Sequence, residues 1–227
     1  MTAHVFRFHG AELRALPSGA LHWPEKGLLV VSDLHLGKSA RLSSQGGAQL
    51  PPYETRETLL RLDTVLEATQ AAQVICLGDS FDMPGIDAAL PEEDRLWLAR
   101  LQAGRKWTWI EGNHDPGPVS LGGAHLAELT LDGLTFRHIA TTAGAEISGH
   151  YHPKARIAAK GRRLARRCFL LDQSRLILPA FGAYTGGLWT HSQTLSSLMA
   201  LDAKAILTGT RAIALPMPRH DGRQAQG

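Results

Sequence analysis

An α/β fold is predicted by three features of this 227-residue chain. Short β-branched runs alternate with helical repeats over the first half. Each of the main apolar runs there ends in a polar cluster. Beyond about residue 126 short apolar stretches follow one another between Gly, Asp and basic turns, so the second half reads as mostly antiparallel β-structure.

Residues 4–9, 11–16 and 20–23 read as strands, with Pro17-Ser18-Gly19 as a turn. Leu28 to Val31 is a buried strand that ends at Ser32-Asp33. Pro51-Pro52 breaks the next loop and opens a helix from Tyr53 to Thr69. Glu54 and Glu57 suit its first turn, and Leu59, Leu62, Val65 and Leu66 give it an apolar face. Gln73 to Leu77 is the next strand, ending at Gly78-Asp79. A second helix begins at Pro91-Glu92-Glu93-Asp94 and runs to Gln102, with Gly104 closing it. Trp107 to Ile110 forms a third strand, followed by Gly112-Asn113-His114-Asp115. Later strands are expected at Leu126 to Leu131, Thr135 to Ile139, Glu146 to Ser148, Ala155 to Ala159, Cys168 to Leu171 and Leu176 to Leu178. Leu207-Thr208 and Ala212 to Leu215 complete the series.

Composition narrows the class. Apolar residues make up 44% and charged residues 20%, ordinary values for a globular protein. The length suits one domain, read as residues 1–215, with a polar tail at 216–227 expected to be disordered. No apolar run approaches the ~20 residues of a membrane span. The N-terminus lacks the basic and apolar regions of a signal peptide. Cys76 and Cys168 do not make a disulfide framework, and Cys76 in Val74-Ile75-Cys76-Leu77 reads as a buried inert thiol. A cytoplasmic location is expected.

Four short strings carry the chemistry: Asp33-Leu34-His35, Gly78-Asp79, Gly112-Asn113-His114-Asp115 and Gly149-His150-Tyr151-His152. Together they offer carboxylate, amide and imidazole donors at strand ends, the mixture that a pair of hard-to-borderline ions requires. In extended backbone Asp33 and His35 would share a face and reach one ion. Asp79, preceded by a flexible glycine, can bridge two ions ~3.5–4 Å apart. Asp82 suits an orienting or capping role better than ligation. Asn113 can offer an amide oxygen, which leaves His114 to act on substrate, with Asp115 fixing its tautomer. His150 and His152, two apart, can serve both ions. His138 is the remaining candidate ligand. Of the other histidines only His191 is kept as a site candidate. Such a centre points to hydrolysis of phosphate esters.

These strings, read as Ser32-Asp33-Leu34-His35-Leu36-Gly37, Gly78-Asp79-Ser80-Phe81-Asp82, Gly112-Asn113-His114-Asp115 and Gly149-His150-Tyr151-His152, resemble the ordered motifs of the calcineurin-like metallophosphoesterases. The likeness spans residues 28 to 153. It implies a sandwich of two central mixed β-sheets flanked by helices. It also implies one ion on Asp33, His35, Asp79 and His152, and a second on Asp79, Asn113, His138 and His150. One departure is Ile139, where the family carries glycine after its isolated metal histidine. A narrower likeness adds the N-terminal hairpin, the Arg-rich stretch into Cys168-Phe169, and the segment Leu178 to Gly187. Here the chain resembles the DNA-ligase-associated phosphoesterases (PdeM), which implies a phosphodiesterase or endonuclease linked to a repair group of ligase, helicase and nuclease.

The expected cofactors are two divalent ions, Mn²⁺ preferred and Fe or Zn²⁺ as alternatives. They would activate a water for in-line attack while His114 assists the leaving group. DNA is the expected partner. Lys154 to Arg167 holds seven basic residues and no acid; setting that +7 against the net charge of +3 leaves the remainder at −4. Lys154, Arg156, Arg162 and Arg163 are therefore candidate phosphate contacts, although a charge-guarded hairpin edge explains the run equally well. No aromatic platform interleaves it in the sequence. The segment from Leu178 to Gly187 reads either as a turn packed below the site or as a loop lining it. Two other readings stay open: an esterase of small nucleotides or phosphomonoesters, and a non-catalytic scaffold, which would predict eroded ligands.

Overall fold

The computed structural model describes residues 2–38, 53–117, 120–141, 144–159 and 162–219. Two β-sheets lie face to face. The first has seven strands in sequential order: β1 (His4–Phe8), β2 (Ala11–Ala15), β3 (Leu21–Trp23), β4 (Leu28–Val31), β5 (Gln73–Leu77), β6 (Lys106–Ile110) and β7 (Ala124–Leu126). Strands β1 to β4 are antiparallel neighbours, whereas β4 to β7 run parallel. The parallel half needs crossovers. Helix α1 (Glu54–Thr69) makes the first, and α2 (Ile86–Ala89) with α3 (Glu92–Gln102) the second. The expected helix α1 is present with Leu59, Leu62, Val65 and Leu66 buried, and it stops at Gln70, which takes a left-handed backbone. The Pro51-Pro52 break expected before it lies outside the described residues.

The second sheet comprises β8 (Glu128–Leu131), β9 (Leu134–Arg137), β10 (Glu146–Ser148), β11 (Lys154–Ala159), β12 (Arg162–Leu171), β13 (Arg175–Ile177), β14 (Lys204–Leu207) and β15 (Ile213–Pro216). Its order is β15-β14-β12-β13-β10-β9-β8, with β11 paired to the outer part of β12. Only β9–β10 and β10–β13 are parallel. Helix α4 (Gln193–Leu198), capped by the Ser192 hydroxyl, lies between β13 and β14. Between the sheets a shared core forms from Leu13, Val30, Ile75 and Ile110 on one side and Phe136, Ile147, Phe169 and Ile206 on the other. Alternation along the strands supplies it: β2 buries Ala11, Leu13 and Ala15 and exposes the residues between. Strand β5 is covered on both faces, so four consecutive residues, Val74 to Leu77, are buried.

Three expectations about local structure change. The single strand expected at Leu126 to Leu131 is two, β7 in the first sheet and β8 in the second, so the chain changes sheets at Ala127. The strand expected from Cys168 begins at Arg162, because the arginine-rich run pairs with β11 as the arm of a hairpin. Residues 216–219 do not belong to a free tail: Pro216 ends β15, Met217 is buried, and the Arg219 guanidinium donates to the Ser196 and Met199 carbonyls. The rest of that expected tail, 220–227, lies outside the described residues. No described helix is long and apolar enough to cross a membrane.

Candidate metal centre

Every candidate ligand stands just past the C-terminal end of a strand. Asp33 and His35 follow β4, Asp79 follows β5, and Asn113 follows β6. His138 follows β9, while His150 and His152 follow β10. The loops after β4 and β5 stay zipped beyond the sheet, since His35 N donates to Asp79 O (2.9 Å) and Leu36 N to Ser80 O (2.9 Å). Extended backbone does not place Asp33 and His35, contrary to the expectation. Both are left-handed, with φ of 53° and 46°, and the same holds for Asp79 (45°), His150 (69°) and His152 (46°). Such conformations cost non-glycine residues on the order of 1–3 kcal/mol each and cluster at functional sites. Five strained residues in one cleft mark where the fold concentrates its strain.

Three sets of donors converge, and the one formed by His35, Asp82 and His114 shares His35 with the first of the other two. Ligand atoms of Asp33, His35 and His152 lie within 4.8 Å of one another, and so do those of Asp79, His138 and His150. In the first set His152 Nε2 approaches Asp33 Oδ1 to 3.1 Å, yet neither His152 Nε2 nor the buried His35 Nε2 has a hydrogen-bond partner among the described residues. In the second, His138 Nδ1 lies 2.8 Å from the Leu77 carbonyl and therefore carries its proton there. That leaves the Nε2 lone pair facing Asn113 Oδ1 (3.0 Å), His150 Nδ1 (3.2 Å) and Asp79 Oδ2 (3.3 Å). Lone pairs converging on one point repel unless a cation lies between them. A proton on His138 is one solution, and its pKa is raised, burial opposing and the Asp79 and Asp33 charges prevailing. A divalent ion on the same atoms is the other. Carboxylate, amide and imidazole donors suit Mn²⁺, Fe or Zn²⁺, so the residues fit a two-ion centre.

The carboxylates are fixed before any ion arrives. Asp33 accepts from Ser32 Oγ (2.5 Å) and from the His150 N–H (3.0 Å), and Asp79 Oδ1 from the His114 N–H (2.8 Å). Burial would raise the Asp79 carboxyl, but the hydrogen bond and charge of His138, with the His114 N–H, hold it down at about 2. His150 is lowered as well, by burial and by the neighbouring His138 charge. Two glycines permit the close approach. Gly78 has φ of 73°, and a Cβ there would meet the His138 ring; one at Gly149 would collide with Ser32 Oγ and Asp33.

His114 is half-exposed, with 41% of its side-chain surface open. Its Nδ1 lies 3.0 Å from the Asp82 carbonyl, which sets the tautomer and turns Nε2 toward the cleft, 4.0 Å from Asp79 Oδ2. The expected partner was Asp115, and the structure corrects this. Asp115 is buried, with Oδ1 accepting from Asp79 N (2.9 Å) and Gly112 N (3.0 Å) and Oδ2 from Ser80 N (2.8 Å) and Phe81 N (3.2 Å). Burial pushes its carboxyl up to about 6; the Phe81 and Ser80 N–H groups oppose that, while the Asp79 charge adds to it. Its work is to tie the loop after β6 to the loop after β5. Asp82 orients His35, its Oδ1 3.1 Å from His35 Nδ1, so that Nε2 faces the ion position.

The segment Leu178 to Gly187 braces the centre from behind. Phe181 N and Gly182 N donate to the Ser32 and Asp33 carbonyls (2.8 and 3.1 Å), and Gly187 packs against the His152 carbonyl. Arg167 belongs to this brace and not to the open basic face, since Nη1 donates to the Ala180 and Gly182 carbonyls (both 2.9 Å). Of the candidate phosphate contacts, Lys154 and Arg156 lie two and four residues past His152, and Arg163 is exposed farther along the hairpin. Arg162 pairs with Ala159 in the backbone, and its side chain lies outside the described residues. Sequence reading missed Trp189, whose ring carries Lys154 Nζ at 4.7 Å and Arg156 Cζ at 4.1 Å from its centroid. The aromatic partner that the basic run lacks in sequence arrives from 33 positions beyond Arg156. His191 stacks parallel to it, 6.3 Å between ring centroids, and is not among the clustered ligand groups.

Fold and donor set together define a metal-dependent phosphoesterase. Residues 27–201 match the calcineurin-like phosphoesterase family, and the chain belongs to it. Among solved structures it is similar to the nuclease MPE of Pseudomonas putida, with 29% identity and a TM-score of 0.72 over 94% of this chain and 100% of that one. No curated protein sequence matches.

Proposed function

We propose that this protein hydrolyses phosphodiesters in nucleic acid, acting as an endonuclease in a DNA-repair setting with two Mn²⁺ ions. The observation that carries the reading is the pair of convergent donor sets in one cleft, Asp33–His35–His152 and Asp79–His138–His150. Asn113 completes the second set through the atom that faces His138. Asp79 is assigned to both ions. Bound ions supply Lewis acidity, lowering the pKa of water and drawing charge from phosphoryl oxygens. The chain's own residues do the rest. Backbone N–H groups hold the Asp33 and Asp79 carboxylates, and Asp82 and the Leu77 carbonyl aim His35 and His138. His114, acting as the doubly protonated imidazolium, presents its Nε2–H to the leaving oxygen and returns to the Nδ1–H tautomer held by the Asp82 carbonyl. The similar structure is a nuclease, which supports a nucleic-acid substrate here, and the acid-free hairpin beside His152 supports a polyanion. The subfamily of DNA-ligase-associated phosphoesterases accommodates both points.

Metal-reconstituted protein assayed against bis-p-nitrophenyl phosphate, the corresponding monoester, and single-stranded, nicked and duplex DNA tests this. Turnover of the diester and of at least one DNA is expected. Activity confined to the monoester would sink the reading in favour of a small-molecule esterase.

A further inference from the structure

We propose that Trp189, with Lys154 and Arg156, forms a positioning platform that receives one unstacked base and its flanking phosphates from a single strand of nucleic acid. It rests on the nucleic-acid reading above and extends it to residues outside the metal centre.

Attachment to the centre is the first argument. The backbone at Leu188 to Thr190 runs beside Tyr151 to Lys154, with Leu188 N donating to Tyr151 O (3.1 Å), Lys154 N to Leu188 O (2.8 Å) and Thr190 N to Lys154 O (2.8 Å). The same ladder that sets His152 therefore sets the indole. Charge is the second. The chain carries no acid from Ile147 to Leu171, and neither Lys154 nor Arg156 takes part in an ion pair among the described residues. Two cations gathered on one ring repel each other, so a cation–π contact alone leaves them short of negative charge. A phosphodiester backbone supplies it. The ring supplies the second half of what a single strand requires, a flat surface for a base; base–aromatic stacking and backbone charge are the two elements of sequence-independent strand binding. Arg156, at stacking distance from the indole, can bind phosphate and flank a base at once.

The opposite flank gives direction. Beyond Asn113 and His138 a cavity of about 390 Å³ is lined by Glu111 and Glu128 together with Arg137, and Arg137 is already paired to Glu128 (2.9 Å). The incoming strand is thus drawn to the Trp189 side of the centre.

The test compares wild type with Trp189→Ala, Trp189→Phe and Arg156→Ala. Two readouts are used: kinetics on a short oligothymidylate and on bis-p-nitrophenyl phosphate, and fluorescence anisotropy of labelled oligothymidylate on metal-free protein. Trp189→Ala should raise KM and the dissociation constant for the oligonucleotide roughly tenfold or more, leave kcat near wild type, and leave the small diester unchanged. Trp189→Phe should recover part of the loss. Unchanged oligonucleotide binding in Trp189→Ala and Arg156→Ala overturns the platform, as does an equal loss on both substrates, which would make Trp189 a packing residue. A wild type that turns over the small diester yet neither binds nor cuts any oligonucleotide overturns the nucleic-acid reading itself.

Discussion

The two sheets bring different chemistry to the same cleft. The first contributes the oxygen donors, Asp33, Asp79 and Asn113, at the ends of three adjacent parallel strands, together with His35. The second contributes imidazoles, His138, His150 and His152, and the cationic hairpin behind them. Each half also holds the other's candidate ligands. Asp33 of the first is gripped by the backbone N–H of His150 from the second, and His138 of the second by the Leu77 carbonyl from the first. Gly78 and Gly149, one from each half, remove the side chains that would keep them apart. The centre is therefore assembled by sheet docking, and neither half presents a finished site alone.

Removing a group that both halves use should have the largest effect. Asp79 accepts from the His114 N–H and faces His138 across the cleft. Asp79→Ala should lose both ions, measured by elemental analysis of the purified protein, and reduce turnover to background. Retention of two ions per chain would contradict a shared carboxylate.

Next comes His114, which belongs to the first half but makes no part of the two ligand sets. His114→Ala should keep both ions and lose about 10²–10⁴-fold in kcat on bis-p-nitrophenyl phosphate. Full turnover in that variant would remove His114 from the chemistry. Asp115, its neighbour, gives the contrasting result. Asp115→Ala strands four buried N–H donors, at about 1–3 kcal/mol for an unsatisfied group, so the melting temperature should drop by several degrees in the metal-free protein. An unchanged melting temperature with lost activity would restore Asp115 to a catalytic role.

The contrast between His114 and Asp115 shows what the sequence can carry. The strings of candidate donors were legible because each is local: a strand followed within a few residues by one to three donors. Their conformation was not, because Asp33 and His35 are held left-handed by backbone partners from distant loops, Gly78, Asp79 and Gly182, which no spacing rule anticipates. Asp115 looked like a tautomer-fixing neighbour because adjacency in sequence was all there was to judge by; in the fold its carboxylate turns back to the loop after β5. Sheet membership was similarly hidden at Ala127, where one apolar run serves two sheets. Trp189 was hidden for the plainest reason, since a contact between residues 156 and 189 leaves no periodic trace.

The smallest effect separates the hairpin from the centre. Arg163 pairs across from Ala158, on the same face of the hairpin as Lys154 and Arg156, and is exposed. It touches no ligand string, so Arg163→Ala should leave metal content and small-diester turnover at wild-type values. If a strand lies along this face, each phosphate neutralised adds about 0.7 to the slope of log affinity against log salt. Losing one contact should flatten that slope by a similar amount while shifting affinity only modestly at any single salt concentration. The slope is the better readout because it counts phosphate contacts, whereas a change in affinity also includes stacking on Trp189. A variant with the wild-type slope would end the strand's path at Arg156, confining the second half's contribution to the imidazoles and the platform beside them.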